Sequence, residues 1–181
     1  MIYNKKVILK DKRECIIRSG GEQDAEAVLR VFILAHGQTD FLLTYPDECT
    51  FTVEDEAKFL KAKAENEREV ELIAVVDGQV AGTAGIDCVC NKQKTKHRAE
   101  FGISVDQEYW GLGIGSALLS SCVECAKKAG YVQLELSVVA ANETAVSMYK
   151  KAGFKEFGRN PKGFLSRNGN YQEFINMILE L

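Results

Sequence analysis

The segment Tyr109-Trp110-Gly111-Leu112-Gly113-Ile114-Gly115-Ser116 carries glycine at three alternate positions, after a strand-like run and before a helix-like one. Glycine lets a backbone pass close to a ligand and take conformations closed to other residues. The first amides of a helix have no carbonyl partner inside it and lie at the positive end of its dipole. Such a loop makes a phosphate site without any side-chain charge. Two phosphate chemistries fail on the residues themselves. A nucleotide-hydrolysing loop needs Gly-Lys-Ser/Thr where this chain has Gly115-Ser116-Ala117. A dinucleotide fingerprint needs Gly-x-Gly-x-x-Gly and an acid at the end of the next strand, whereas Glu135 lies mid-strand between Leu134 and Leu136.

Other reactive side chains are scattered. His36 and His97 are isolated, and no Ser or Cys stands near either in a triad pattern. Of the cysteines Cys15, Cys49, Cys88, Cys90, Cys122 and Cys125, the last two share a helical stripe with Ile114, Leu118 and Ala126. They read as small core residues, not as disulfide partners or metal ligands, and no metal site is expected. The basic tip Lys92, Lys94, Lys96, His97 and Arg98 reads as a solvated turn.

The elements that position these residues follow from periodicity. Cys15–Arg18 is a short strand, and Val28, Val31, Phe32 and Ala35 mark an amphipathic helix ending near Gly37. Gln38–Phe51 has no period and reads as a loop. Thr52 can cap a second helix, with Val53, Ala57, Leu60 and Ala64 as its buried stripe. Val70–Val76 and Gln79–Cys90 form a hairpin about Asp77-Gly78, and Arg98–Val105 alternates as a third antiparallel strand. A long helix over Gly113–Ala129, a strand over Val132–Val139 and a helix from Asn142 through Ala152 follow. Gly153-Phe154 closes that last helix as a left-handed cap. Phe154–Leu165 and Asn170–Leu181 make a final antiparallel pair. The order implies a single α/β domain over residues 1–181: one mixed, mostly antiparallel sheet of six or seven strands with helices on both faces.

Composition narrows the setting. At 181 residues, with 46% hydrophobic and 27% charged residues, the chain suits one folded domain. A net charge of −3 offers no general attraction to nucleic acid or an anionic membrane. No apolar run is long enough to span a bilayer, and Met1–Lys6 lacks the features of a signal peptide. The expected location is cytoplasmic.

Taken together, Trp110-x-x-Gly113-x-Gly115, the strand Arg98–Val105 and Asn142-x-x-Ala145-x-x-x-Tyr149-x-x-x-Gly153-Phe154 resemble the signatures of the GCN5-related N-acetyltransferase (GNAT) family, most strongly over Val70–Lys155. The resemblance implies acetyl-CoA as co-substrate, with transfer of its acetyl group to a primary amine by direct attack. Ile103, Ser104 and Val105 would hold the pantetheine arm in a splay between two parallel strands. The amides of Gly111, Leu112, Gly113, Ile114, Gly115 and Ser116 would bind the pyrophosphate, and Asn142 would touch the cofactor. Tyr149 would protonate the departing thiolate. Trp110 stands where the family carries Arg or Gln, which removes a side-chain contact and leaves the backbone cradle.

For the base, the same resemblance points to Glu100, on a strand face with Gly102 and Ser104. A mid-strand Glu pairing with Lys or Arg of a neighbouring strand is the competing reading. Asp87 and Glu135 are reserves. The acceptor would be a small-molecule amine or a protein N-terminus, chosen by the first two helices, the loop around Thr39–Phe51 and the last hairpin. Asp47 and Glu48 at the loop rim could attract a cationic amine or form an ordinary acidic turn. The tail Tyr171–Leu181 resembles the ending of enzymes acting on ribosomal protein N-termini, and equally of relatives acting on small amines. A module that binds CoA without catalysis is the alternative, and the final strand would offer an edge for pairing in a homodimer.

Overall fold

A computed structural model describes residues 1–181. The strands are β1 (Asn4–Ile8), β2 (Glu14–Ser19), β3 (Val70–Val76), β4 (Gln79–Cys88), β5 (Arg98–Val105), β6 (Gln133–Val139), β7 (Lys155–Leu165) and β8 (Tyr171–Glu180). The helices are α1 (Ala25–Gln38), α2 (Val53–Glu65), α3 (Ile114–Lys128) and α4 (Glu143–Lys151). One sheet of order β1-β2-β3-β4-β5-β6-β8-β7 carries everything, and only the β5–β6 pair is parallel.

Sheet side chains alternate between faces, so each face has its own cover. Residues such as Leu72, Ala84, Ile86, Ala99, Phe101 and Leu134 pack beneath α3 and α4, against Ile114, Leu118, Cys122 and Tyr149. Ile73 and Val80 on the other face pack against Val28, Val31 and Leu60 of α1 and α2. Cys122 and Cys125 are buried in the α3 stripe, where burial pushes the Cys125 thiol up to about 11.

Local chemistry sets the joints. Asp77 and Gly78 both have positive φ (49° and 79°), which matches the twist of a two-residue hairpin. Thr52 caps α2 by accepting from the Asp55 amide, and Asp55 returns the bond to the Thr52 amide. At the end of α4, Gly153 turns left-handed at φ 99°. The Phe154 amide then bonds the Tyr149 carbonyl at 3.0 Å while the Phe154 side chain is buried. That closure holds the last turn of α4, and with it Tyr149, against the sheet.

Four expectations need correction. An eighth strand, β1, pairs with β2 at the sheet edge. Its lysines are exposed and ion-paired to Glu124 and Glu14, so it shows no apolar alternation to read. The last strand is not an edge: β8 inserts between β6 and β7, which leaves β7 outermost. β4 ends at Cys88, two residues short of Cys90. The inward stripe of α2 is Glu56, Leu60 and Lys63, with Val53 exposed. Two charged residues therefore face the sheet, for reasons that the site supplies.

Candidate functional site

β5 and β6 are in parallel register only from Arg98/Gln133 to Glu100/Glu135. Beyond that β6 pairs solely with β8, and β5 solely with β4. The two strands splay. The Asp106 amide bonds back to β4 at Ala81, and the His97 carbonyl accepts from Val132 on the β6 side. Alternation therefore turns the backbone groups of Ile103 and Val105 into the gap. Ser104 faces the other way, its backbone toward β4 and its hydroxyl 3.4 Å from that of Thr83.

Because β5 and β6 run parallel, the segments that follow them emerge at one end of the sheet. After β5, Asp106 caps a short turn over Gln107–Tyr109 and accepts from the Gln38 side chain at 2.9 Å, while Gln38 accepts from the Gln107 amide. The end of α1 thereby anchors the loop. Trp110 donates its indole N–H to the Val105 carbonyl at 2.8 Å, which ties the loop base to the end of β5.

Gly111 and Gly113 then take φ of 77° and 100°, and Gly113 is the N-cap of α3. No amide from Gly111 to Ser116 donates to a main-chain oxygen; Ala117 is the first, to Gly113. Six consecutive N–H groups thus stand free at the positive end of a helix. Gly115 lies against Met148, and a side chain there would press on that sulfur. After β6, Asn142 caps α4 by accepting from the Ala145 amide at 3.2 Å, so it frames the same end of the splay from the other side.

Tyr149 is buried beside Phe101 and Phe154, its ring edge-on to Phe101 with centroids 6.1 Å apart. Burial raises its phenol well above the usual range, so the hydroxyl stays protonated.

On the opposite face a cavity of about 520 Å³ lies between the sheet, α1, α2 and the loop before α2. Its floor is the row Glu71, Gly85, Gly102, set by the pairing of β3, β4 and β5. A methyl group at Gly85 would collide with the Glu71 carboxylate, and nothing stands above Gly102. The Glu71 side chain therefore lies across β4 toward β5. Burial raises its carboxyl to about 8, eased by Lys63 and by the Thr83 hydroxyl donating to it, and reinforced by Asp87 and Glu56.

Glu100 belongs to the next row, between Asp87 and Glu135. It is exposed and has no ion pair, whereas Asp87 is held by Lys63 and Glu135 by two hydrogen bonds from Arg98. The competing reading of Glu100 as a paired structural residue has no partner here, and both reserve carboxylates are engaged. Sequence reasoning missed Glu71. The available signal was its place as the one charged residue inside the apolar run Val70–Val76, opposite a glycine.

The model of the acetyltransferase (GNAT) family matches residues 35–154. The chain is 30% identical over 165 residues to the L-amino acid N-acetyltransferase AaaT of Escherichia coli (strain K12), covering 91% of this chain and 96% of that protein. It is 39% identical over 56 residues, 38% of that protein's length, to the [ribosomal protein bS18]-alanine N-acetyltransferase of the same strain. A GNAT-family acetyltransferase structure from Streptococcus pneumoniae superposes with a TM-score of 0.88 at 27% identity, over 92% of this chain and 99% of that one. The fold is also that of yncA from Salmonella typhimurium, a structure with its cofactor acetyl-CoA, at a TM-score of 0.81 and 19% identity over 91% and 92% of the two chains. With the family signatures and the splayed sheet in one frame, the chain belongs to the GNAT family of acetyltransferases, and it is an N-acetyltransferase.

Proposed function

We propose that this enzyme moves the acetyl group of acetyl-CoA to a primary amine, with cofactor and acceptor meeting at Ile103 from opposite faces of the sheet. The observation that carries this reading is the junction itself. The splay beyond Glu100 opens toward six free amides at Gly111–Ser116, and the residues Gly102–Ser104 at its edge also line the cavity on the far face.

Acetyl-CoA supplies an activated acyl carbon. The amides of Gly111–Ser116 bind its pyrophosphate, the backbone of Ile103 and Val105 holds the arm, and Asn142 steadies it from the start of α4. The acceptor arrives as an ammonium ion, which cannot attack until it loses a proton. Glu71 takes that proton over the open floor at Gly102, since strands 4.7–4.9 Å apart put its reach within about 5 Å of that spot. Glu100, unpaired at the rim, is the alternative base, acting through water. The neutral nitrogen attacks the thioester carbonyl, and the Ile103 amide, unpaired in the splay, steadies the oxyanion. The carbon–sulfur bond breaks once the carbon–nitrogen bond has formed, Tyr149 gives the thiolate its proton, and the second proton shed by the attacking nitrogen returns through solvent to restore the phenol.

The test is turnover over an amine panel with Tyr149→Phe, Glu71→Gln and Glu100→Gln, alongside calorimetric binding of acetyl-CoA. All three variants keep cofactor binding. Tyr149→Phe loses turnover, and whichever glutamate is the base loses it too. Equal turnover by wild type and Tyr149→Phe overturns the role given to the phenol.

A further inference from the structure

The acceptor cavity has a charge pattern that the transfer reaction does not require. Its walls are apolar, formed by Val28, Leu29, Phe32, Leu42, Phe51 and Phe59. The ionisable groups among its lining are Glu48, Glu56, Glu71, Asp87, Cys49 and His36, and it contains no Lys or Arg. Lys63, the cation nearest the floor, is already held by Asp87 and Glu69. His36 bonds the Phe32 carbonyl through Nδ1, and burial lowers its pKa, so it is neutral at physiological pH. Glu48 is exposed and accepts from the Tyr45 amide.

Glu56 is different. It projects from α2 into the cavity, is only 8% exposed, and makes neither an ion pair nor a side-chain hydrogen bond. A buried carboxylate without a partner is unfavourable by itself, and a ligand cation removes the deficit. Within the acetyltransferase reading, Glu71 serves the amine that reacts. Glu56 is a second carboxyl group lining the same cavity, on α2 and not on the sheet, and near enough to Glu71 to help raise its pKa.

We infer that the acceptor is an aliphatic diamine or polyamine: one amine is acetylated over Gly102, a second ammonium is held by Glu56, and the methylenes between lie on the apolar walls. The same lining argues against a free α-amino acid, whose carboxylate would meet acidic side chains and no cation.

This inference rests on the proposed function, and one experiment separates the two. Acetyl-CoA-dependent turnover is measured for α,ω-diamines of three to six carbons, for n-alkylamines of equal length, and for L-leucine and L-lysine. A charge-assisted hydrogen bond predicts that the best diamine exceeds its monoamine in kcat/KM by roughly 10- to 150-fold. Both amino acids fall below that diamine. In Glu56→Gln, a near-isosteric change, the diamine-to-monoamine ratio drops toward one, while thermal melting and acetyl-CoA calorimetry report that the protein is folded. Monoamines or amino acids matching the best diamine, or an undiminished ratio in Glu56→Gln, overturns the inference and leaves the acetyltransferase reading standing. Failure of every amine to turn over, with acetyl-CoA bound, overturns both.

Discussion

Glu71 offers the sharpest test, because one side chain links stability to catalysis. Its carboxyl titrates at about 8 when folded against 4.5 in an ordinary setting. Folded protein therefore holds this proton where unfolded protein has lost it. The stability that comes from keeping Glu71 neutral is complete below pH 4.5 and is lost progressively as pH rises through about 8. At about 1.4 kcal/mol per pKa unit the full shift corresponds to roughly 5 kcal/mol, and the carboxyl's partial access to the cavity reduces this to about 2–4 kcal/mol. Glu71→Gln removes the titration and keeps the shape. Urea unfolding from pH 5 to 9 then gives a falling curve for wild type and, relative to it, a gain in the variant that grows with pH and levels off above 8. The same titration governs the reaction. If Glu71 is the base, kcat/KM rises with pH through about 8 and loses that rise in Glu71→Gln. Parallel stability curves for the two proteins would show that the carboxyl is not held neutral by its surroundings, and the reasoning would fail.

Other consequences are simpler to measure. Tyr149→Phe removes the proton donor but none of the ring packing against Phe101 and Phe154; kcat falls by roughly 10²-fold or more, with acetyl-CoA affinity within about twofold of wild type by calorimetry. Gly113→Val places a β-branched residue at φ 100°, which strains the cap of α3 by about 1–2 kcal/mol. Acetyl-CoA affinity drops with it, and unchanged calorimetric affinity would argue against phosphate binding at this loop. Asn142→Ala removes the bond to the Ala145 amide; about 1 kcal/mol of stability is lost, a fall of roughly 2–4 °C in Tm by scanning calorimetry.

Much of this molecule is legible in the chain because it depends on neighbours in sequence. The turn at Asp77-Gly78 needs two positive φ values, the cap of α2 needs Thr52 and Asp55 three apart, and the closure of α4 needs glycine before an apolar residue. The glycine loop belongs with these, since free amides at a helix start are a local property. Alternation over Arg98–Val105 likewise tells which side chains share a face.

What the sequence leaves open is set by partners far along the chain. Glu71 shares its apolar strand with residues buried for packing, and only the register β3–β4–β5 puts two glycines beside it, so that its charge meets a cavity and not a wall. Glu56 sits beside the apolar stripe of α2, and the helix rotates to face it inward because Lys63, two turns on, reaches Asp87 on β4. Glu100 reads as free or paired with equal ease until the sheet shows Arg98 and Lys63 bonded elsewhere. The place of β8 between β6 and β7 cannot be read from either strand, because strand order is decided by which edges remain unpaired after collapse. Local geometry is written in short-range chemistry; the charge environment of a buried acid is a property of whatever the fold packs around it.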